Sequence, residues 1–413
     1  MARKMKDSGI EWIGEIPEGW EVVPVKRLCT MQAGKNLTSE QIAPEGTYPV
    51  YGGNGIRGFF SDYNCDGQFL TVGRQGALCG NVHKINGKVW ATEHAVITTP
   101  SSYTILDFLY YLLIGMDLNQ YVSSTAAQPG LAVGTLLNLK TCYPCSTLEQ
   151  TQISNYLNAK CSEIDIMLTK TRSSIEEYKK FKQAVITQAV TKGVRGEREM
   201  KDSGVEWIGK IPREFDPVQL KFFCKLITDG THFSPTTVEN GWPYITAGDV
   251  HGIGLDYNSA KRISEEDFQL LVTQGCQPLK GDVLLVKDGA TTGRVGFVDS
   301  DTPCVILSSV AMLRPADNTD GHYLMYLLAS DFLQKQILVS MAGSAMPRTT
   351  LTKLTKYIGL LPPLHEQKEI ANYLDAKCAE IDGLIAKKEQ LVKELEGYKK
   401  SLIYEVVTGK REV

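Results

Sequence analysis

Along residues 148–192 one set of positions recurs in alternating steps of four and three: Ile153, Leu157, Lys160, Ile164, Met167, Thr171, Ser174, Tyr178, Phe181 and Val185. The same alternation returns near the end of the chain at Ile370, Leu374, Lys377, Ile381, Leu384, Lys388, Leu391, Leu395, Tyr398 and Leu402. Mostly apolar residues at this spacing form a heptad seam, so two long helices are predicted. Pro144 precedes the first and Pro362-Pro363 the second, while Gly193 and Gly409 fall where a helix should stop. From Leu148 to Lys192 there is neither Gly nor Pro, which allows a helix of ~65 Å at about 1.5 Å per residue. The second helix contains Gly383 and Gly397, each costing up to ~1 kcal/mol relative to Ala, so a bend or frayed turn is expected there. The simplest partner for one seam is the other. Lys160 and Lys377, at equivalent positions, fit a pair whose register is specified by polar intrusions.

The rest of the chain is organised by repetition. Residues 5–17 read MKDSGIEWIGEIP and residues 200–212 read MKDSGVEWIGKIP, eleven of thirteen positions being identical at an offset of 195 from Met5 to Met200. A second block, EQTQISNYLNAKCSEID from Glu149, returns as EQKEIANYLDAKCAEID from Glu366, an offset of 217. The order is therefore variable domain, repeated helix, variable domain, repeated helix. The expected divisions are residues 1–147, 148–193, 194–363 and 364–413. The variable parts share a skeleton: Gly67 to Val72 and Gly281 to Val286 each read as a short apolar strand running into a Gly-rich turn, after which a strand resumes. Leu109 to Leu113 and Leu324 to Leu328 each read as a helix. The fold class expected is α+β, with two α/β domains and two long helices.

Composition bounds the function. At 413 residues, with 43% hydrophobic and 22% charged residues, two or more soluble domains are expected. No apolar run approaches a membrane span, and the charged start is unlike a signal peptide, so a cytoplasmic protein is expected. Ten cysteines in a chain of this length are not a disulfide framework. Cys142 and Cys145 have knuckle spacing but no matching second pair, so they read as reduced thiols and no metal is expected. A formal net charge of −3 argues against tight DNA binding by the chain alone through a broad basic face, though not against a local basic groove.

The KDSGxEWIGxIP opening and the Leu361-Pro362-Pro363-Leu364-His365-Glu366-Gln367 segment leading into a long helix resemble the specificity subunits of type I restriction–modification systems. The resemblance covers essentially the whole chain. It implies two target-recognition domains separated by two long antiparallel coiled-coil helices with pseudo-two-fold symmetry. It also implies double-stranded DNA with a bipartite site, two methyltransferase subunits and restriction/translocase subunits as partners. The first half departs from the pattern, with Tyr143-Pro144-Cys145-Ser146-Thr147-Leu148 before Glu149. That the openings and helices stay alike while the domain interiors have diverged fits a division between docking and reading.

No catalytic residue is identified and no cofactor is expected: there is no P-loop, no Asn-Pro-Pro-Tyr-like segment, no nuclease carboxylate cluster and no His with metal spacing. Base reading calls for side-chain donors and acceptors on loops. The candidates are Asn54, Arg57, Arg74 and Gln75 in the first domain. In the second they are Thr228, Asp229, Thr231, His232, Lys287, Asp288, Arg294 and Arg348. Lys287 and Asp288 occupy the turn equivalent to Arg74 and Gln75. A coiled-coil adaptor that never touches DNA, or an enzyme with unrecognised motifs, are the competing classes.

Overall fold

The computed structural model describes residues 3–76, 79–122, 130–251, 254–341 and 347–413. The chain forms two compact units, Met1–Arg172 with Glu389–Val413, and Ser173–Lys388. The unit boundary runs through both long helices, so each unit combines one α/β domain with the first part of one helix and the last part of the other.

In the first unit a hairpin of β1 (Met5–Asp7) and β2 (Glu15–Pro17) precedes β3 (Trp20–Pro24) and β4 (Cys29–Ala33). Strands β5 (Tyr48–Gly52), β6 (Gly55–Phe60), β7 (Gln68–Gly73), β8 (Val82–Asn86), β9 (Trp90–Ala91) and β10 (Ala95–Pro100) follow. Then come α1 (Leu106–Gly115), α2 (Val133–Asn138), β11 (Lys140–Pro144) and the long α3 (Thr147–Lys192). The central sheet has the order β4-β10-β7-β8 and is antiparallel; a smaller sheet runs β6-β5-β9. Leu70, Val72 and Val96 of the central sheet are buried in one core with Phe108, Leu109 and Leu112 of α1. Ile153, Leu157 and Ile164 of α3, and Leu402, Ile403 and Val406 of the last helix, close the same core.

The second unit repeats this plan. It comprises β12 (Met200–Asp202), β13 (Lys210–Pro212), β14 (Asp216–Gln219), β15 (Cys224–Asp229), β16 (Thr237–Val238), β17 (Trp242–Ile245) and β18 (Lys261–Ile263). These lead to α4 (Glu265–Thr273), β19 (Val283–Val286), β20 (Val295–Phe297), β21 (Val305–Ile306) and β22 (Val310–Pro315). Helices α5 (Gly321–Ala329), α6 (Asp331–Met341) and α7 (Leu351–Leu354), strand β23 (Ile358–Leu361) and the long α8 (Leu364–Val407) complete it. Its sheet β15-β22-β19-β20 matches β4-β10-β7-β8 strand for strand. The extra length of the second domain is spent in part on α4, whose N-cap Ser264 accepts from the Asp267 N–H.

Equivalent polar residues lock the start of each long helix to its own domain. Gln150 accepts the Ile105 N–H at 2.8 Å and donates to the Tyr103 and Pro144 carbonyls. Gln367 accepts the Asp320 N–H at 2.8 Å and donates to the Asn318 and Pro362 carbonyls. Arg3 pairs with Glu149 and lies over Trp20; Arg198 pairs with the buried Glu366 and lies over Phe215. In the first unit Lys399 reaches Asp165, and Arg172 reaches Glu396, so the helix segments run antiparallel. In the second unit Lys182 to Asp382 and Arg195 to Glu369 give the same direction.

The seam differs from the sequence pattern in detail. Met167, Phe181, Leu391 and Tyr398 are exposed, and the buried stripe passes through Cys161, Leu168 and Ile175 on α3 and through Cys378 on α8. Lys160 and Lys377 pair with Glu163 and Glu380 of their own helices rather than intruding on a seam. The physical reason is that each helix packs against the domain as well as the other helix, so the buried stripe follows the 3.6-residue period of a straight helix. All ten cysteines are free; Cys142 is buried with its thiol on the Val407 carbonyl, and Cys145 is exposed. Among the described residues no group of three or more His, Cys, Asp or Glu is arranged to hold a metal, and no helix is long and apolar enough to cross a membrane.

Candidate nucleic-acid interface

In the first unit the polar candidates meet where β7 ends. Strand register puts Gly73 opposite Ala95, so Arg74 lies beside His94 and donates its N–H to the His94 carbonyl at 3.0 Å. The β5–β6 turn leans on the same place: a Cβ on Gly73 would stand 1.8 Å from the Gly53 carbonyl oxygen, a contact only glycine permits. This brings the turn that carries Asn54 beside Gln75, a Cβ on Gly53 lying 2.8 Å from the Gln75 carbonyl oxygen, with Arg57 two residues into the next strand. Asn54 accepts from Asn81 at 2.7 Å, Arg57 packs its stem along Gly52, and Gln75 forms a backbone bridge with Gly130.

Three side chains not anticipated from sequence join them. Glu93 and His94, 3.1 Å apart, flank the same turn, and His83 lies across from Tyr51. Burial holds the His83 imidazole below its ordinary pKa. Arg74 Nε, His83 Nε2, Glu93 Oε2 and His94 Nδ1 are buried and find no hydrogen-bond partner among the described residues. Unpaired buried donors and acceptors are costly for a folded domain alone. Grouped at the end of one sheet, they are capacity that a ligand with its own donors and acceptors would fill. No sequence signal marks Glu93 or His94, because their nearness to Arg74 comes from strand register.

The second unit builds the equivalent end from different residues. Thr228 and Asp229 finish β15, and Thr231 and His232 follow in the loop. Gly230 allows that loop to pass over β21: a Cβ there would lie 1.9 Å from the Ile306 carbonyl oxygen, as one on Gly34 would lie 2.2 Å from that of Ala91. Thr231 donates its N–H to the Ile306 carbonyl, and its hydroxyl accepts from the Phe233 N–H. Lys287 follows β19, only 3% exposed, with its ammonium 2.9 Å from Asp288 and 3.3 Å from Asp229. Lys287, a candidate DNA contact on its turn position, is an internal cation, because the two carboxylates of Asp229 and Asp288 draw it inward. His232 stands 3.9 Å from Asp229, and Arg348 pairs with Asp288 at 2.9 Å. The backbone bridge of Asp288 with Arg348 is the counterpart of that of Gln75 with Gly130.

Arg294 stands apart from this group. It is exposed just before β20 and lines a cleft with Gln334, Lys182, Gln183 and Asp382. Asn81, at the equivalent turn, lines a cleft with Arg172, Glu396 and Lys399 in the first unit. Structure thus joins Asn54, Arg57, Arg74 and Gln75 in one unit. It joins Thr228, Asp229, Thr231, His232, Lys287, Asp288 and Arg348 in the other, and leaves Arg294 facing the long helices.

Comparison with known proteins places this duplicated architecture. The family model described as type I restriction modification DNA specificity domain matches twice, over residues 17–177 and 212–394. The type I restriction enzyme EcoprrI specificity subunit of Escherichia coli is 45% identical over 121 residues, 28% of this chain and 30% of that protein. The MjaVIII specificity subunit of Methanocaldococcus jannaschii is 25% identical over 422 residues, covering 96% of this chain and 93% of the relative. A chain from a solved structure concerned with complex assembly and conformational transition of the type I R-M system shares the fold. It has a TM-score of 0.68 at 15% identity, over 96% of this chain and 99% of that one. With its specificity domain present twice and full-length likeness to named specificity subunits, the chain belongs to the family of type I restriction–modification specificity subunits.

Proposed function

We propose that this chain reads a bipartite double-stranded DNA site, one half with each unit, and carries no catalytic centre of its own. It docks two methyltransferase subunits, and restriction/translocase subunits join them, in the cytoplasm. The observation that carries the reading is the contrast within the repeat. The residues that lock each helix to its domain are retained: Gln150 and Gln367, Glu149 and Glu366, Arg3 and Arg198. The residues at the end of each central sheet are exchanged: Arg74 for Lys287, Gln75 for Asp288, Gly130 for Arg348. Two equal docking platforms serve two copies of one partner, and two unequal polar ends serve two different base sequences. The candidate DNA contacts are Asn54, Arg57, Arg74 and Gln75, with Glu93 and His94 added, and Thr228, Asp229, Thr231, His232, Asp288 and Arg348.

The net charge of −3 makes binding partner-dependent, since phosphate neutralisation supplies much of DNA affinity. The test is a gel shift with and without the methyltransferase, followed by mapping of methylated positions in cells. Exchange of residues 20–140 for those of a related subunit should change one half of the site alone. Change in both halves, or tight specific binding by the isolated chain at physiological salt, would overturn the reading.

A further inference from the structure

The charged group at the end of the second unit's sheet has an asymmetric construction that folding alone does not explain. Lys287 is an almost fully buried cation contacted by two carboxylates, Asp229 and Asp288. Isolated, it would be prohibitively costly to bury; two carboxylates overcompensate it by one negative charge. Arg348 supplies the missing positive charge, with Nε 2.9 Å from Asp288 Oδ1. That oxygen is buried and the contact is not aligned as a hydrogen bond, so its accepting capacity remains open. The Arg348 side chain itself is 58% exposed. An ion pair that exposed contributes little to stability.

The geometry fits recognition instead. Nε is the guanidinium nitrogen at 2.9 Å from Asp288, and among the described residues no hydrogen bond engages the Nη edge. That edge is a planar pair of donors, the shape that matches O6 and N7 of guanine in a major groove. Backbone contacts hold the approach: Gly289 donates to the Pro347 carbonyl at 3.0 Å and Thr349 donates to the Lys287 carbonyl at 2.9 Å. In the first unit the equivalent backbone bridge is made by Gly130, which has no side chain to present.

We propose that Arg348 reads a guanine in the half-site faced by the second unit. Asp288 acts as its positioning residue, backed by the internal Lys287 and Asp229. This rests on the DNA-reading function proposed above and assigns one of its base contacts. For this guanine, Asp288 and Lys287 act through Arg348, holding the residue that makes the contact.

The test uses the full chain assembled with its methyltransferase. The wild-type site is first mapped from methylated positions, and methylation is then measured on duplexes carrying each single base-pair change. For Arg348→Ala, discrimination should fall roughly ten- to a hundredfold at one G·C pair of one half-site. The other half-site should be read as before. Asp288→Asn should weaken discrimination at that same pair, and Arg348→Lys should not restore it, since an ammonium lacks the planar fork. Reading of the first half-site in the same complex serves as the control for folding. Undiminished discrimination at every position in Arg348→Ala overturns the assignment. Undiminished discrimination at that pair in Asp288→Asn overturns the positioning role. If the wild-type complex methylates no bipartite site, the DNA-reading function itself fails, which is a separate outcome.

Discussion

Replacing Gln367 by Leu removes the group that fastens α8 to its domain while leaving the volume nearly unchanged. Gln367 is fully buried and makes three hydrogen bonds to backbone: it accepts from Asp320 and donates to Asn318 and Pro362. The Pro362 carbonyl lies in a buried setting and would be left without a partner, at about 1–3 kcal/mol. The Asp320 N–H and Asn318 carbonyl are nearer solvent and recover part of their bonding from water, so each loses ~0.5 kcal/mol by the same reasoning. The sum is roughly 3 kcal/mol, a large fraction of the ~5–15 kcal/mol that holds a domain together. Because the chain has two units, one unfolding curve would not isolate the effect. Hydrogen exchange followed peptide by peptide does. Protection in the slowest amides of Ser173–Lys388 should fall about a hundredfold, at tenfold per 1.4 kcal/mol. Gln150→Leu should do the same to the first unit, since its three bonds match. A fall of less than tenfold in either variant would refute the claim that these glutamines lock helix to domain.

Three further outcomes follow from paired positions. Arg198→Ala leaves Glu366, 1% exposed, without its cation and should cost about 3–5 kcal/mol. Arg3→Ala frees a Glu149 already near solvent and should cost ~1 kcal/mol or less in the same denaturation assay; equal losses would sink the burial argument. In the native protein a thiol reagent should modify Cys145 ahead of the buried cysteines. Burial raises the Cys145 thiol and pushes that of Cys142 up to about 12, so rates should climb as pH passes above 9 and the thiolate forms. Fast labelling that survives Cys145→Ser would contradict this. Gly230→Ala forces a Cβ against the Ile306 carbonyl and should destabilise the second unit by about 1–3 kcal/mol or more. On the function proposed above it should also degrade reading of the half-site assigned to that unit, as methylation mapping would show; undiminished stability would refute the close approach.

The sequence alone determined the parts that depend on neighbours along the chain. Heptad spacing announced α3 and α8, prolines and glycines marked their ends, and the two offsets announced the duplication. The strand-then-glycine-turn pattern correctly put Arg74 and Lys287 at equivalent turns after β7 and β19. Which face of a helix is buried was decided elsewhere. Cys161 displaced Lys160 and Leu168 displaced Met167 because a domain core, built from residues far away in sequence, covers α3 from the side. The candidate site divides in the same way. Arg74 and Gln75 were legible because a turn is local. Glu93 and His94 were not, because only the pairing of β10 with β7 carries them there. Nor could the sequence tell that Lys287, a lysine at a turn, would lie inside the protein. That followed from Asp229, fifty-eight positions earlier, arriving beside it when β15 joined β22 and β22 joined β19. Local periodicity fixes elements; the depth and partners of a charge depend on strand register, which sums contacts across the whole sheet.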